Sequence, residues 1–421
     1  MNLFRTSLLN AVAVAVRVAS ALVLNKILAI YVGPSGYAIV GQLQNAISVV
    51  VSLASAGVAT GVTKGTAQHF NDVSRQKAIW RTAVRLSLIT STFVGLALFV
   101  AKDLLADVLL HGVGYSNIFV WLALSLPAIA INNVLIAVAN GKKNLRVYLT
   151  ANIVGSLLIL LTAGLLTLLF GLYGALVSFV ISPAVTIFAT ALIIRRTAWF
   201  SFHALWGSLD RQALRELSGF ALMGLTSAIA VPTVLILIRE TLSSSLGLSQ
   251  AGYWQASWRL SDVYLMLITS TLAVYYLPRI AEIRKASELR VEIFKVYRFV
   301  IPVVLVSSVC IFLLRDFIIG VLFTADFAPM RDLFAWQLTG DLVKVSAWVL
   351  SYVMLGRAMV RSYVVTEVVF SGLFLILTKF FVPWFGLQGV AIAYTVNYFL
   401  YWVVLLLLVR AEIRRMGTLQ P

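Results

Sequence analysis

Apolar stretches of twenty or more residues follow one another along this chain from end to end. Each is long enough to cross a hydrocarbon core of roughly 30 Å as a helix. With hydropathy as the guide and Gly, Pro and charge clusters as breaks, twelve spans fall near residues 7–32, 36–63, 79–101, 117–140, 147–169, 173–194, 216–238, 250–277, 296–314, 332–355, 361–379 and 386–409. Composition agrees. The chain is 61% hydrophobic and 12% charged, against roughly 45–50% apolar and about 25% charged in soluble chains, so a soluble globular fold is excluded. The first run extends from beyond Arg5 to about Val32 without a clean small-residue cleavage site, which reads as a retained span rather than a cleaved signal.

Positive charges near the ends of spans mark the cytoplasmic side. With the N-terminus inside, only Lys102, Arg239, Arg315, Arg331 and Lys379 fall in outer segments, and Arg17, Lys26, Arg85, Arg259 and Lys344 lie within spans. Every other one of the 33 Lys and Arg residues is cytoplasmic. The bias alternates at each loop, which predicts twelve spans with both termini in the cytoplasm. The two halves also echo each other. Gly36-Tyr37 recurs as Gly252-Tyr253, and Gly171-Leu172-Tyr173-Gly174-Ala175 recurs as Gly386-Leu387-Gln388-Gly389-Val390, each about half a chain later. The expected fold is therefore an all-α polytopic membrane protein of two six-helix lobes, residues 1–195 and 216–421, joined by a basic cytoplasmic linker at 196–215 and related by a parallel pseudo-two-fold axis. Parallel repeats of this kind characterise transporters whose site lies between the lobes near the midplane.

Several function classes drop out. The net charge of +17 is spread over loops instead of clustering on one face with aromatic platforms, so it reads as topology and attraction to anionic lipid, not as nucleic-acid binding. The single cysteine, Cys310, allows no intrachain disulfide. His69, His111 and His203 are spaced for no metal site. The outer loops near 102–116 and 315–331 are too short to build an active site, so neither an enzyme nor an organic cofactor is expected.

The informative residues are the charges inside spans, because each costs roughly 2.5–3.5 kcal/mol to insert and must face a wet cavity or a partner. Arg17 lies ten residues into the first span, roughly 15 Å deep, with Asn10 on the same face. Lys26 sits near the outer end of that span, where its amine can snorkel. The eighth span carries Gln255, Arg259, Asp262 and Thr269 on one face, and the tenth carries Gln337, Asp341, Lys344, Trp348 and Ser351. Each stripe pairs an acid with a base three residues apart. A self-neutralised ion pair would suffice for insertion, but the polar residues continue beyond the pair, which favours a cavity wall. Gln42, Asn45, Ser48, Ser52 and Ser55 form an uncharged stripe that reads as helix-to-helix glue. Glu367 and the Tyr394, Asn397, Tyr401 face complete the polar inventory of the second half. Arg and Lys are the side chains that bind phosphate. A cavity lined by Arg17, Arg259 and Lys344 therefore asks for an anion, while Asp262, Asp341 and Glu367 are the groups able to take up a proton or sodium ion.

Three stretches carry a family resemblance: Asn25 to Asn45 (NKILAIYVGPSGYAIVGQLQN), Gly57 to Gly65 (GVATGVTKG) and Met330 to Lys344 (MRDLFAWQLTGDLVK). On these the chain resembles, nearly end to end, the Wzx-type flippases of lipid-linked oligosaccharides in the multidrug/oligosaccharidyl-lipid/polysaccharide exporter superfamily. Met330 to Lys344 is similar above all to the branch that handles lipid III of enterobacterial common antigen, or to O-antigen flippases. The resemblance implies a bacterial inner-membrane protein in which two lobes alternate access to carry an undecaprenyl-diphosphate-linked oligosaccharide from the cytoplasmic to the periplasmic leaflet. It implies cavity bases at Arg17, Lys26, Lys64, Arg239, Arg259 and Lys344, with Lys64 at a cytoplasmic gate and Lys26 or Arg239 at a periplasmic one. It also implies antiport against a proton or sodium ion, and a glycan polymerase and chain-length regulator as downstream partners. A cation-coupled multidrug or small-molecule exporter of the same superfamily is the alternative. Bases without an acid on the first span argue against it, and twelve spans differ from the fourteen of peptidoglycan-precursor flippases.

Overall fold

The structure, a computed structural model, describes residues 3–55, 57–197 and 199–418, and among these all regular structure is helical. In chain order the helices are α1 (Leu3–Ala54), α2 (Val58–Gln68), α3 (Val73–Leu110), α4 (Ser116–Gly141), α5 (Leu145–Ile194), α6 (Arg211–Leu246), α7 (Leu248–Thr271), α8 (Leu277–Glu282), α9 (Ala286–Leu313), α10 (Arg315–Leu322), α11 (Phe334–Gly356), α12 (Val360–Phe385) and α13 (Gln388–Thr418). Eight helical stretches among the described residues are long and apolar enough to cross a membrane, so the chain is a multi-pass membrane protein. Two of the eight, of 43 and 50 residues, are too long for a single crossing and are broken by glycine. Gly33 (φ 67°, ψ −179°) breaks α1 directly before Pro34, and Gly171 (φ 56°, ψ −134°) breaks α5. Both conformations strain residues with a Cβ, and Pro34 restarts the helix with its missing N–H at a position that needs none. These are the breaks expected between the first and second spans and between the fifth and sixth.

Elsewhere the helices depart from the expected limits. The span expected over 36–63 is interrupted: α1 ends at Ala54, and Gly57 (φ 61°) turns left-handed ahead of α2. A Cβ on Gly57 would meet Leu225 Cγ at 2.9 Å, and one on Gly61 would meet Leu217 Cδ2 at 2.9 Å, so α2 lies against α6 where only glycine fits. The segment near 102–116, expected as an outer loop, is largely helical, since α3 runs on to Leu110 before His111 (φ 55°) terminates it. The segment near 315–331 is helical as well, formed by α10 and the 3-10 turn Ala325–Leu333. After Thr271, α7 passes into a π-helical turn, Leu272–Tyr276, before α8.

The chain divides into two compact units, Met1–Ile236 and Leu237–Pro421. In the first, Ile79, Trp80, Val134, Val138, Phe200 and Leu217 belong to one buried cluster, so the linker and the start of α6 are packed on α3 and α4. This is why the contact boundary falls inside α6 and not at the linker. A polar latch adds to it: Arg75 reaches Asp210 at 3.1 Å and Glu216 at 2.7 Å, and the Asp210 carboxylate caps α6 by accepting from Ala213 N–H at 2.6 Å. The Ala213 N–H and then the Arg75 guanidinium hold the Asp210 carboxyl below its ordinary value, and the Glu216 carboxylate holds the guanidinium of Arg75 above its own. In the second unit, Leu265, Tyr276, Ile280, Val345, Leu350 and Leu405 share a buried core.

Candidate functional site

The second unit gathers charged and aromatic side chains from α7, α11, α12 and α13 around the middle of α11. The α11 stripe read from the sequence is buried: Gln337, Asp341, Lys344 and Ser351 all face inward. Asp341 is fully enclosed, and its two oxygens are satisfied by hydroxyls. Oδ2 accepts from Ser261 Oγ at 2.6 Å and from Tyr264 OH at 2.7 Å, and Oδ1 accepts from Tyr394 OH at 2.7 Å. Gln337 Nε2 adds weaker contacts to Ser261 Oγ at 3.3 Å and to Asp341 Oδ1 at 3.5 Å. Gly340 leaves the space that the Tyr394 ring fills on its way to Asp341.

Lys344, one turn further along α11, has its ammonium in an aromatic box. Nζ lies 4.6 Å from the Trp258 ring centre, 4.9 Å from that of Trp348, and 5.4 Å from those of Tyr394 and Tyr398. The box is itself packed, with Trp258 and Tyr394 rings 5.3 Å apart and Tyr394 and Tyr398 rings 4.9 Å apart, both edge-on. Ring faces attract a desolvated cation by about 2 kcal/mol but supply no hydrogen-bond acceptor, and an ammonium has three donors. Among the described residues none of those donors has a hydrogen-bonded partner. Asp262, Asp341 and Glu367 all exert an electrostatic pull on Lys344, yet neither Asp341–Lys344 nor Arg259–Asp262 closes to a salt bridge among the described residues. The insertion pair considered from the sequence is therefore not how these charges are held.

Of the expected site residues, Lys344, Asp341, Asp262, Glu367 and Arg259 come together in this unit. Asp262 is exposed, Arg259 and Glu367 are half-buried, and Asp262 feels Lys344 and Arg259. Arg239, expected in an outer segment, is buried instead, because α6 runs on to Leu246. It donates to Gln255 Oε1 on α7 and lies 5.6 Å from the Trp254 ring, one helical turn along α7 from Arg259. In the first unit Arg17 and Lys26 lie on α1 and Lys64 on α2, with Arg17 and Lys64 exposed and Lys26 half-buried. Gln42 is buried there and donates to the Ile236 carbonyl at 3.4 Å, as the glue reading of its stripe expects. Four site residues escape the sequence reading: Trp258, Ser261, Tyr264 and Tyr398. The spacing of Trp254, Trp258 and Ser261 and of Tyr394 and Tyr398 on single helix faces is the signal that marks three of them.

Over residues 27–332 the sequence matches the family described as polysaccharide biosynthesis protein. It is 31% identical over 401 residues to the lipid III flippase of Escherichia coli (strain K12), covering 95% of this chain and 96% of the relative. The lipid III flippase of Shigella flexneri is similar to the same extent. Among solved structures, an inward-facing multidrug resistance MATE family transporter of the MOP superfamily superposes with a TM-score of 0.80 at 17% identity, covering 97% of this chain and 100% of that one. At that identity the likeness speaks for the fold alone.

Proposed function

Since this chain belongs to the polysaccharide biosynthesis protein family, we propose that the anion it carries is an oligosaccharide linked through a diphosphate to a polyprenyl lipid, of the lipid III or O-antigen type. The protein is a flippase of lipid-linked oligosaccharides, a transporter and not a catalyst. The observation that carries the site assignment is Lys344: a buried ammonium on which four rings converge while, among the described residues, its hydrogen-bond donors have no partner. Hydroxyls already occupy Asp341, so that acid does not consume the cation. A diphosphate oxygen supplies the acceptor the box lacks, and Arg259 adds a fork suited to phosphate. Arg239, Arg17, Lys26 and Lys64 are the further bases of the transport path.

Coupling follows from the charge balance of the cluster. With Asp262, Asp341 and Glu367 ionised, their charges hold Lys344 and Arg259 in place for the anion. A proton or sodium ion bound by these acids withdraws that hold and releases the anion. Ion and cargo then occupy the cluster in turn, which is antiport. In this reading the chain crosses the inner membrane twelve times in two six-helix lobes, with both termini cytoplasmic, and delivers its cargo to a periplasmic polymerase and chain-length regulator. Deletion of the gene tests the function: one lipid-linked oligosaccharide should accumulate on the cytoplasmic face, and the intact gene but not Lys344→Ala should relieve it. If no such intermediate accumulates and sensitivity to cationic dyes rises instead, the chain is an exporter of small molecules.

A further inference from the structure

Away from the Lys344 cluster, the second unit holds a cavity of about 670 Å³ between α9 and α13. Its walls are apolar, from Ile293 and Phe294 on one side and Leu406, Val409 and Ile413 on the other, backed by Leu350 of α11. Its inner end is closed by Trp402, whose indole N–H donates to Tyr297 OH at 3.1 Å, while Tyr297 donates to the Ser346 carbonyl at 2.6 Å. Its other end is basic, formed by Arg290 in the first turns of α9 and by Arg410 and Arg414 in the last turns of α13. All three arginines are exposed. Their neighbours Arg415 and Arg357 are paired with Glu412, whereas none of the three has an ion pair or a hydrogen bond among the described residues.

The dimensions and the charge together specify a ligand. Trp402 precedes Arg414 by twelve residues and Arg410 by eight, and Tyr297 follows Arg290 by seven. At 1.5 Å per residue these stretches span roughly 10–18 Å, close to the ~15 Å depth of one leaflet of a ~30 Å core. The charge bias of the sequence puts the arginine end in the cytoplasmic leaflet, which is the anionic one. An apolar channel one leaflet deep, opening on three uncompensated guanidiniums, matches a phosphate headgroup with its acyl chain. The long polyprenyl tail of a carried glycan exceeds this depth several-fold.

We propose that this groove is a binding site for an anionic phospholipid of the cytoplasmic leaflet, with its phosphate on Arg290, Arg410 and Arg414 and an acyl chain ending against Trp402. The site is independent of the cargo assignment. It is tested with the full-length protein in nanodiscs containing phosphatidylglycerol brominated along its acyl chains, which quenches nearby indoles. Quenching at low mole fraction is expected, with a component that disappears in Trp402→Phe. In the triple variant Arg290→Gln, Arg410→Gln, Arg414→Gln that component should require roughly 100-fold more lipid, about fivefold per arginine. Trp254 and Trp258 are buried, so their continued protection from quenching reports that the triple variant is folded. Two results overturn the proposal: equal quenching of the Trp402 component by brominated phosphatidylcholine, which marks ordinary boundary lipid, or displacement by polyprenyl diphosphate at lower concentration than by unbrominated phosphatidylglycerol, which assigns the groove to the cargo.

Discussion

Lys344 and Asp341 divide the work of the cluster by chemistry, one surrounded by rings and the other by hydroxyls. Replacing Lys344 with Met keeps much of the packing and removes the charge, so the protein should insert normally while translocation falls by at least 100-fold, read from the accumulated lipid-linked intermediate. Lys344→Arg should restore part of the activity, since the charge returns in a wider head. Asp341→Ala should act differently. It leaves Ser261, Tyr264 and Tyr394 hydroxyls without their acceptor, and each buried donor left unsatisfied costs about 1–3 kcal/mol, so the loss should appear in thermal unfolding in detergent as well as in transport. The charges of this cluster were legible in the sequence, because acids and bases inside apolar runs are expensive and therefore conspicuous. The box was not. Spacing sets Trp258 on the face of Trp254 and Tyr398 on that of Tyr394, but only their approach across three helices gives them a cation to surround.

At the scale of elements, glycine positions decide where helices break. Gly33 and Gly171 adopt backbone angles that a Cβ resists by about 1–3 kcal/mol. Gly33→Ala and Gly171→Ala should therefore each lower stability by an amount of that order and impair transport without altering a single charge, as thermal unfolding and glycan assembly would show. The linker latch gives a pH dependence with a definite sign. Folding lowers the Asp210 carboxyl, so its contribution is complete above the unfolded value of roughly 3.9 and is lost as pH falls through the lower folded value. Amide exchange at Ala213, corrected for intrinsic rates, should be constant from pH 7 to about 5 and accelerate below about 4, and Asp210→Asn should abolish the step. Hydropathy located most of the long helices, and the Gly33 and Gly171 breaks followed from punctuation in the sequence. The early end of α1, ahead of Gly57, and the burial of Arg239 did not. The first depends on Leu217 and Leu225, more than 150 residues away, and the second on a helix that continues past the charge which, read locally, should end it.

For the whole molecule, insertion energetics and kinship bear on different properties. Insertion energetics make this a multi-pass membrane protein, and its relatives make it a flippase of lipid-linked oligosaccharides. Topology tests the first beyond what helix length gives. With Cys310 replaced by Ser, a cysteine at Gly112 should react with an impermeant maleimide in intact spheroplasts and one at Lys143 only after permeabilisation. The reverse pattern would invert the orientation inferred from charge. The measurement closest to the central claim is translocation itself, with the purified protein in sealed vesicles holding a polyprenyl-diphosphate-linked oligosaccharide whose sugars are scored by an impermeant glycosidase. The account predicts that the wild type exposes the inner-leaflet pool, faster when a cation gradient is imposed, and that Lys344→Met leaves this pool protected although its unfolding is unchanged. Equal exposure by wild type and Lys344→Met would contradict the place given to Lys344, and no exposure beyond that of protein-free vesicles would contradict the function.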